Sequence, residues 1–131
     1  MNEINSFRNN AELAVNKFGP LSKLGEAFGY NRASVEWVEG FIERQRGRAD
    51  ISAEETDILV QLIGSYLGEC LIYTHGGSWR IQDGEWGVFF NDSNAAFPFS
   101  KVRKQFENGI DDGDSILGFF DMTRAIFVKG N

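Results

Sequence analysis

The stretch from Ser52 to Trp79, SAEETDILVQLIGSYLGECLIYTHGGSW, constrains this chain more than any other. Ser52 and Glu55 have the spacing of a capping box, in which each side chain covers an amide of the other residue. Ile58, Leu59, Leu62, Ile63, Tyr66, Leu67, Cys70, Leu71 and Tyr73 then recur at helical spacing over a broad face. His75 falls in the last turn, where a cation suits the helix dipole, and Gly76-Gly77 supplies the stop. At ~1.5 Å per residue such a helix crosses a small domain. The spacing predicts a core helix with the other elements packed around it.

A length of 131 residues suits one domain, 1–131, with a helical N-terminal layer over 1–50 and an α+β core over 52–129. The 12 phenylalanines and 3 tryptophans are enough to build a core without disulfide or metal, and they argue against disorder. A single cysteine makes no internal disulfide, so a reducing compartment is expected. Asn2, Glu3 and Asn5 interrupt any apolar leader, and no run approaches the ~18 apolar residues of a membrane span. A soluble, cytoplasmic protein is the expectation. The net charge of −6, from 13 basic and 19 acidic residues, disfavours binding to a phosphate backbone and favours attraction of a basic protein.

Along the chain, Ile4, Phe7, Ala11, Ala14, Val15 and Phe18 share a helical face that Gly19-Pro20 is expected to end. Leu21, Leu24 and Phe28 continue at helical spacing as a short helix up to Gly29. Asn31 is placed to cap a further helix that turns Val35, Val38, Phe41 and Ile42 inward and stops near Gly47. Arg44, Arg46 and Arg48 at its end suit the dipole, and an anion or acidic partner is the other use open to them. Gly64 and Gly68 on the core helix cost helix stability, so a close neighbour is expected, with the Val35–Ile42 helix and its Gly40 as candidate. A ligand pressed on that smooth face is the alternative.

After the core helix the period changes to two. Ser78–Gln82 and Glu85–Asn91 flank Asp83-Gly84, a two-residue hairpin signal that sets Ile81 opposite Trp86 and Trp79 opposite Val88. Trp79, Ile81, Trp86, Val88 and Phe90 then share a side, with Arg80 and Phe89 on the other. Ala95 to Phe99 is expected to add an edge strand, because Pro98 lacks a donor. Ser100 is placed to cap a helix with Val102 and Phe106 inward and Gly109 at its end. Asp114 or Ser115 caps a last helix carrying Ile116, Phe119, Phe120, Thr123 and Phe127, and Gly130-Asn131 is expected to fray. The fold class is therefore α+β: N-terminal helices and a long central helix packed on a three-stranded antiparallel meander, with two C-terminal helices.

Few residues point to chemistry. His75 and Cys70 are the only residues of their kinds, and five positions apart on a helix they point in different directions, so neither a Cys-His nucleophile nor a zinc site is expected. Asp111, Asp112 and Asp114 do not follow the order of a calcium loop, and turn chemistry accounts for them. Glu69, set between Gly68 and Cys70, is either on a wet stripe or buried and paired with Arg80 or Arg103. No catalytic residue, metal or cofactor is expected. An alternative small-molecule-binding or hydrolytic domain would use Glu69 and Arg80 beside the glycine face.

The segments LIGSYLGE (Leu62–Glu69), GGSW (Gly76–Trp79), PFSKVRKQFENG (Pro98–Gly109) and DSILGFF (Asp114–Phe120) resemble a widespread bacterial family of small domains. The likeness runs from about Glu54 to Phe120, leaving the first third of the chain outside it. Such proteins resemble the immunity partners of interbacterial toxins, in which a small acidic cytoplasmic protein blocks a toxin domain. The resemblance points to a protein-binding module that acts by occlusion on a toxin domain. The lack of catalytic groups makes it non-enzymatic, and the negative charge and absent apolar run make its partner a basic protein, with no nucleic acid and no membrane. The acidic loop residues Asp83, Glu85, Asp92, Asp111, Asp112 and Asp114 are the candidates for contact with it.

Overall fold

A computed structural model describes residues 2–129, with side chains described through Ala125. Helix α1 spans Glu3–Leu21 and is capped by Asn2, whose side chain accepts from the Ile4 amide at 2.8 Å. Phe7, Ala11, Ala14 and Phe18 form its buried face. It does not end at Gly19-Pro20 but runs on through both. The amide that Pro20 lacks belongs to the last turn, where Ser22 supplies two bonds: its amide donates to Phe18 O and its hydroxyl to Gly19 O, each at 2.9 Å. The short helix expected over Leu21–Phe28 is reduced to a 3₁₀ turn at Gly25–Ala27, which drops Phe28 into the core and leaves Leu21 exposed.

Helix α2, Arg32–Arg46, starts at Asn31, whose side chain accepts from the Ser34 amide at 3.0 Å, and it stops at Gly47. Val35, Val38 and Ile42 are wholly buried. Helix α3, Ala53–His75, opens with the full capping box: Glu55 N donates to Ser52 Oγ at 3.1 Å and Ser52 N to Glu55 Oε1 at 3.4 Å. Its buried run begins at Val60 and ends at Leu71. Ile58 and Tyr73, expected on the buried face, are exposed because they lie on the turns outside that run.

Strands β1 (Ser78–Gln82), β2 (Glu85–Phe89) and β3 (Ala95–Ala96) form an antiparallel meander in the order β1-β2-β3. Asp83 and Gly84 both take positive φ, 53° and 81°, as a two-residue hairpin loop requires. Trp79 pairs with Val88 and Ile81 with Trp86, the register the turn dictates. The inner face meets α1 and α4 in an aromatic cluster. The Phe7 ring centroid lies 4.6 Å from Trp79, 5.3 Å from Trp86 and 5.2 Å from Phe99.

The third strand is shorter than expected, and helix α4 begins at Pro98 rather than after Ser100, running to Asn108. Proline at the first helical position loses no bond and has its φ already set, so the same residue that marks an edge strand starts a helix. Phe97 is thereby left on the outer face of β2, its ring 6.2 Å from Phe89. Arg80 covers the Phe89 ring, with its guanidinium carbon 4.4 Å from the centroid.

Helix α5, Ile116–Lys129, follows a 3₁₀ turn at Ile110–Asp112. Ser115, not Asp114, caps it by accepting from Gly118 N at 2.9 Å. The Phe127 side chain, expected in the core, lies outside the described side chains, and Gly130-Asn131 lie outside the described residues. Three side chains from three elements take the first amides of this helix. Gln105 of α4 accepts from Ile116 at 2.9 Å, Glu39 of α2 from Leu117 at 3.0 Å, and Ser115 from Gly118. Gln105 is fully buried, and its amide nitrogen is satisfied by Glu39 O at 3.1 Å and Glu43 Oε2 at 2.9 Å. Ser115 Oγ also donates to Glu39, which fixes α2 and α4 against the start of α5.

The whole is an α+β fold in which α3 packs on α1, α4, α5 and β2. The neighbour at its glycines is not α2. A side chain at Gly64 would sit 2.3 Å from Phe99 Cδ1, and one at Gly68 would sit 2.1 Å from Trp79 Cη2. A ring of the hairpin takes the space at Gly68 and a ring of helix α4 the space at Gly64, so the helix that approaches is α4 rather than α2.

Candidate functional site

Of the six acidic residues proposed from the sequence, Asp92 stands apart from the pair at the hairpin tip. Asp83 and Glu85 flank the hairpin tip, whereas Asp92 follows the far end of β2, a strand length away at ~3.3 Å per residue. Glu85 accepts from the Ser100 hydroxyl. Asp92 pairs with Arg80 at 3.4 Å. Asp114 accepts from Lys101 at 3.1 Å and Asn108 at 2.9 Å, which hold its carboxyl below the usual range. Asp83, Asp111 and Asp112 are exposed and take no side-chain partner among the described residues.

Glu69 is half-buried, and its partner is neither Arg80 nor Arg103. Trp79 Nε1 donates to Glu69 Oε2 at 2.7 Å, while Arg80 is engaged by Asp92 and Arg103 by Asp57 at 2.8 Å. An indole N–H satisfies a carboxylate as a cation would. The half-buried Tyr30 lies close to Glu69. Burial first, then the charges of Glu69, Cys70 and Glu12, push its phenol up to about 12. Tyr30 stacks in a ladder of rings with Tyr66 at 5.7 Å and Tyr73 at 6.0 Å.

Cys70 is wholly buried, and burial pushes its thiol far up, so it stays a neutral thiol at ordinary pH. Tyr66 donates to Gly29 O at 2.6 Å. His75 lies against Phe90 and Phe120, with ring centroids 6.2 and 6.1 Å away, and neither ring nitrogen has a hydrogen-bond partner among the described residues. Burial, then the charge of Arg124, lowers its pKa from 6.5. No three His, Cys, Asp or Glu side chains among the described residues are grouped to hold a metal ion.

The strongest surface feature lies along the seam of α1 and α2, which the sequence reading did not single out. Phe18 of α1 sits between Trp37 and Phe41 of α2, at 5.4 and 4.7 Å. Trp37 also stacks with Phe41 at 5.8 Å and meets Phe28 edge-on at 5.9 Å. Its ring is therefore held rigidly while half-buried at the surface. Arg44, one helical turn beyond Phe41, lies over the Trp37 ring at 5.3 Å. Beside Trp37 an open hollow of about 640 Å³ is lined by Leu21, Lys23, Leu24, Ala33, Glu36 and Arg44. A second, of about 240 Å³, lies farther along and is lined by Lys17, Phe41, Gln45, Arg48, Glu55, Ile58 and Leu59. Exposed Leu21 and Ile58 stand at 64% and 67% accessibility, far from the buried state their chemistry favours.

No family model, curated protein or solved structure matches this chain. Function is therefore argued from these side chains. Trp and Arg are the residue types that protein-contact hot spots favour, and an aromatic already packed against its neighbours is covered at little entropic cost. The signal for it was present as Trp37, Phe41 and Arg44 at spacings of four and three. The sequence turns Phe41 inward and offers Arg44 to an anion or acidic partner, whereas Trp37 falls at the edge of the apolar stripe of α2 and carries no expectation of its own. No helix among the described residues is long and apolar enough to cross a membrane.

Proposed function

We propose that this chain is a non-enzymatic protein-binding module that neutralises its partner by covering it, and that the partner is a toxin domain met in the cytoplasm. The rigid Trp37 edge between two open apolar hollows carries the reading. Burial of an aromatic anchor with its apolar surroundings is the usual source of affinity in protein contacts. The toxin-blocking class comes from the resemblance of the segments between Leu62 and Phe120 to immunity partners. The net charge of −6 speeds encounter with a basic partner domain, and Asp83, Asp111 and Asp112 are free to contribute. Steering sets the rate of meeting, whereas the grip comes from area buried at the seam.

The reading is tested by placing a photoreactive residue at position 37 in the full chain, expressing it in the source cell and irradiating. A stoichiometric adduct with one protein is expected, and the isolated partner should lose its own activity as a 1:1 complex is titrated in. A chain that stays alone at every expression level, or a partner whose activity is untouched by saturation, overturns the proposal.

A further inference from the structure

The seam also carries information about what lies in it, and this inference rests on the protein-binding reading above. Lys17, Lys23 and Arg44 line the two hollows and take no ion pair among the described residues. Against these three stand two carboxylates. Glu55 is already engaged by Arg48 at 3.3 Å, and Glu36 alone is uncommitted. On a molecule of net charge −6, this partly apolar open surface is locally positive. Arg44 is held over Trp37, so a carboxylate beside the covered indole would meet a preplaced guanidinium.

The hollows follow one another along α2. From Trp37 to Gln45 is eight residues, or ~12 Å at ~1.5 Å per residue, close to the ~10 Å between side chains seven apart on a helix. We propose that the seam receives an acidic amphipathic helix of the partner. Two apolar side chains about seven residues apart enter the hollows on either side of the Trp37–Phe41 ridge. Carboxylates flanking that stripe meet Lys17, Lys23 and Arg44. This is helix-in-groove recognition, with charge fixing which helix is accepted.

The probes are two synthetic, hydrocarbon-stapled helical peptides with Leu and Phe seven residues apart, one flanked by Glu and the other by Lys. Each is titrated calorimetrically into the intact protein at low and high salt. The Glu peptide should bind at least about tenfold more tightly than the Lys peptide, and its affinity should fall as salt rises. Trp37→Ala should weaken it by a further factor of about ten or more. Because Trp37 touches the core and Arg44 lies over its ring, Lys23→Glu serves as the surface variant that leaves the packing alone, and both it and Arg44→Glu should abolish or reverse the preference. Equal binding of both peptides, preference for the Lys peptide, no binding of either, or indifference to Arg44→Glu each overturns the proposal. A captured partner cross-linked at position 83 or 111 instead of 37 would end this inference yet leave the protein-binding reading standing. A chain with no partner at all would end that reading whatever the peptides do.

Discussion

Trp79 donates its indole N–H to Glu69 at 2.7 Å while its ring lies on the α3 backbone beside Gly68, so one side chain both satisfies a half-buried carboxylate and closes the hairpin onto the core helix. The bond needs an acceptor, not a charge. Glu69→Gln should therefore cost little in urea unfolding. Glu69→Leu, which leaves the buried N–H unpaired, should cost about 1–2 kcal/mol. Equal losses in the two variants would show that the negative charge itself matters.

The ring beside Gly68 leaves no space for a methyl group. Gly68→Ala gains up to ~1 kcal/mol of helix propensity but forces the new Cβ into Trp79, and a net loss of about 1–3 kcal/mol is expected. Gly40→Ala is the contrast, because the nearest atom is the mobile end of Arg44 at 3.2 Å. That variant should be neutral or slightly stabilising. The difference between their urea midpoints is the measured quantity.

Gln105 joins α2, α4 and α5 from a fully buried position. Gln105→Met keeps the volume but strands the Ile116 amide and takes a donor from the Glu43 carboxylate, so thermal unfolding should register a loss of about 1–3 kcal/mol. Gln105→Glu retains an acceptor for Ile116 yet sets a carboxylate beside Glu43. Its defect should deepen as pH rises through the carboxylate range. A pH-independent defect would contradict the assignment of Glu43 as its neighbour.

His75 gives the fold a pH dependence whose sign follows from its surroundings. Its pKa is lowered on folding, so the unfolded chain takes up a proton first and stability falls as pH drops below 6.5. Asp114 and Asp121, whose pKa values are also lowered, by their hydrogen bonds to Asn108 and Arg32 respectively, contribute a further loss only in the more acidic carboxylate range. His75→Phe should pack with Phe90 and Phe120 and flatten the upper part of that decline, read as melting temperature against pH. A curve unchanged by the substitution would place the titration elsewhere.

Features governed by short-range rules were legible in the sequence. The Ser52–Glu55 box, the Asn31 cap and the Asp83-Gly84 hairpin with its Trp79–Val88 register depend on residues within a few positions of one another. Pro98 was ambiguous because an edge strand and a first helical turn tolerate it equally, and Phe97 offers no side-chain cap to decide between them. The partners of Gly64, Gly68, Glu69 and Gln105 come from other elements, so their spacing alone could not name them. The seam at Trp37 was hidden because half-exposure of an aromatic depends on what the neighbouring helix leaves uncovered. The acidic residues lie in separate loops, and the hairpin holds Asp83 and Asp92 at opposite ends, a distance that their number alone does not show.

The central claim is that recognition occurs at the α1–α2 seam. Hydrogen–deuterium exchange of the chain, free and in complex with the protein captured at position 37, tests it most directly. The account predicts new protection over residues 13–24 and 33–48, with the hairpin unchanged. Protection confined to residues 78–94 and 110–114, with the seam exchanging as in the free chain, would contradict it.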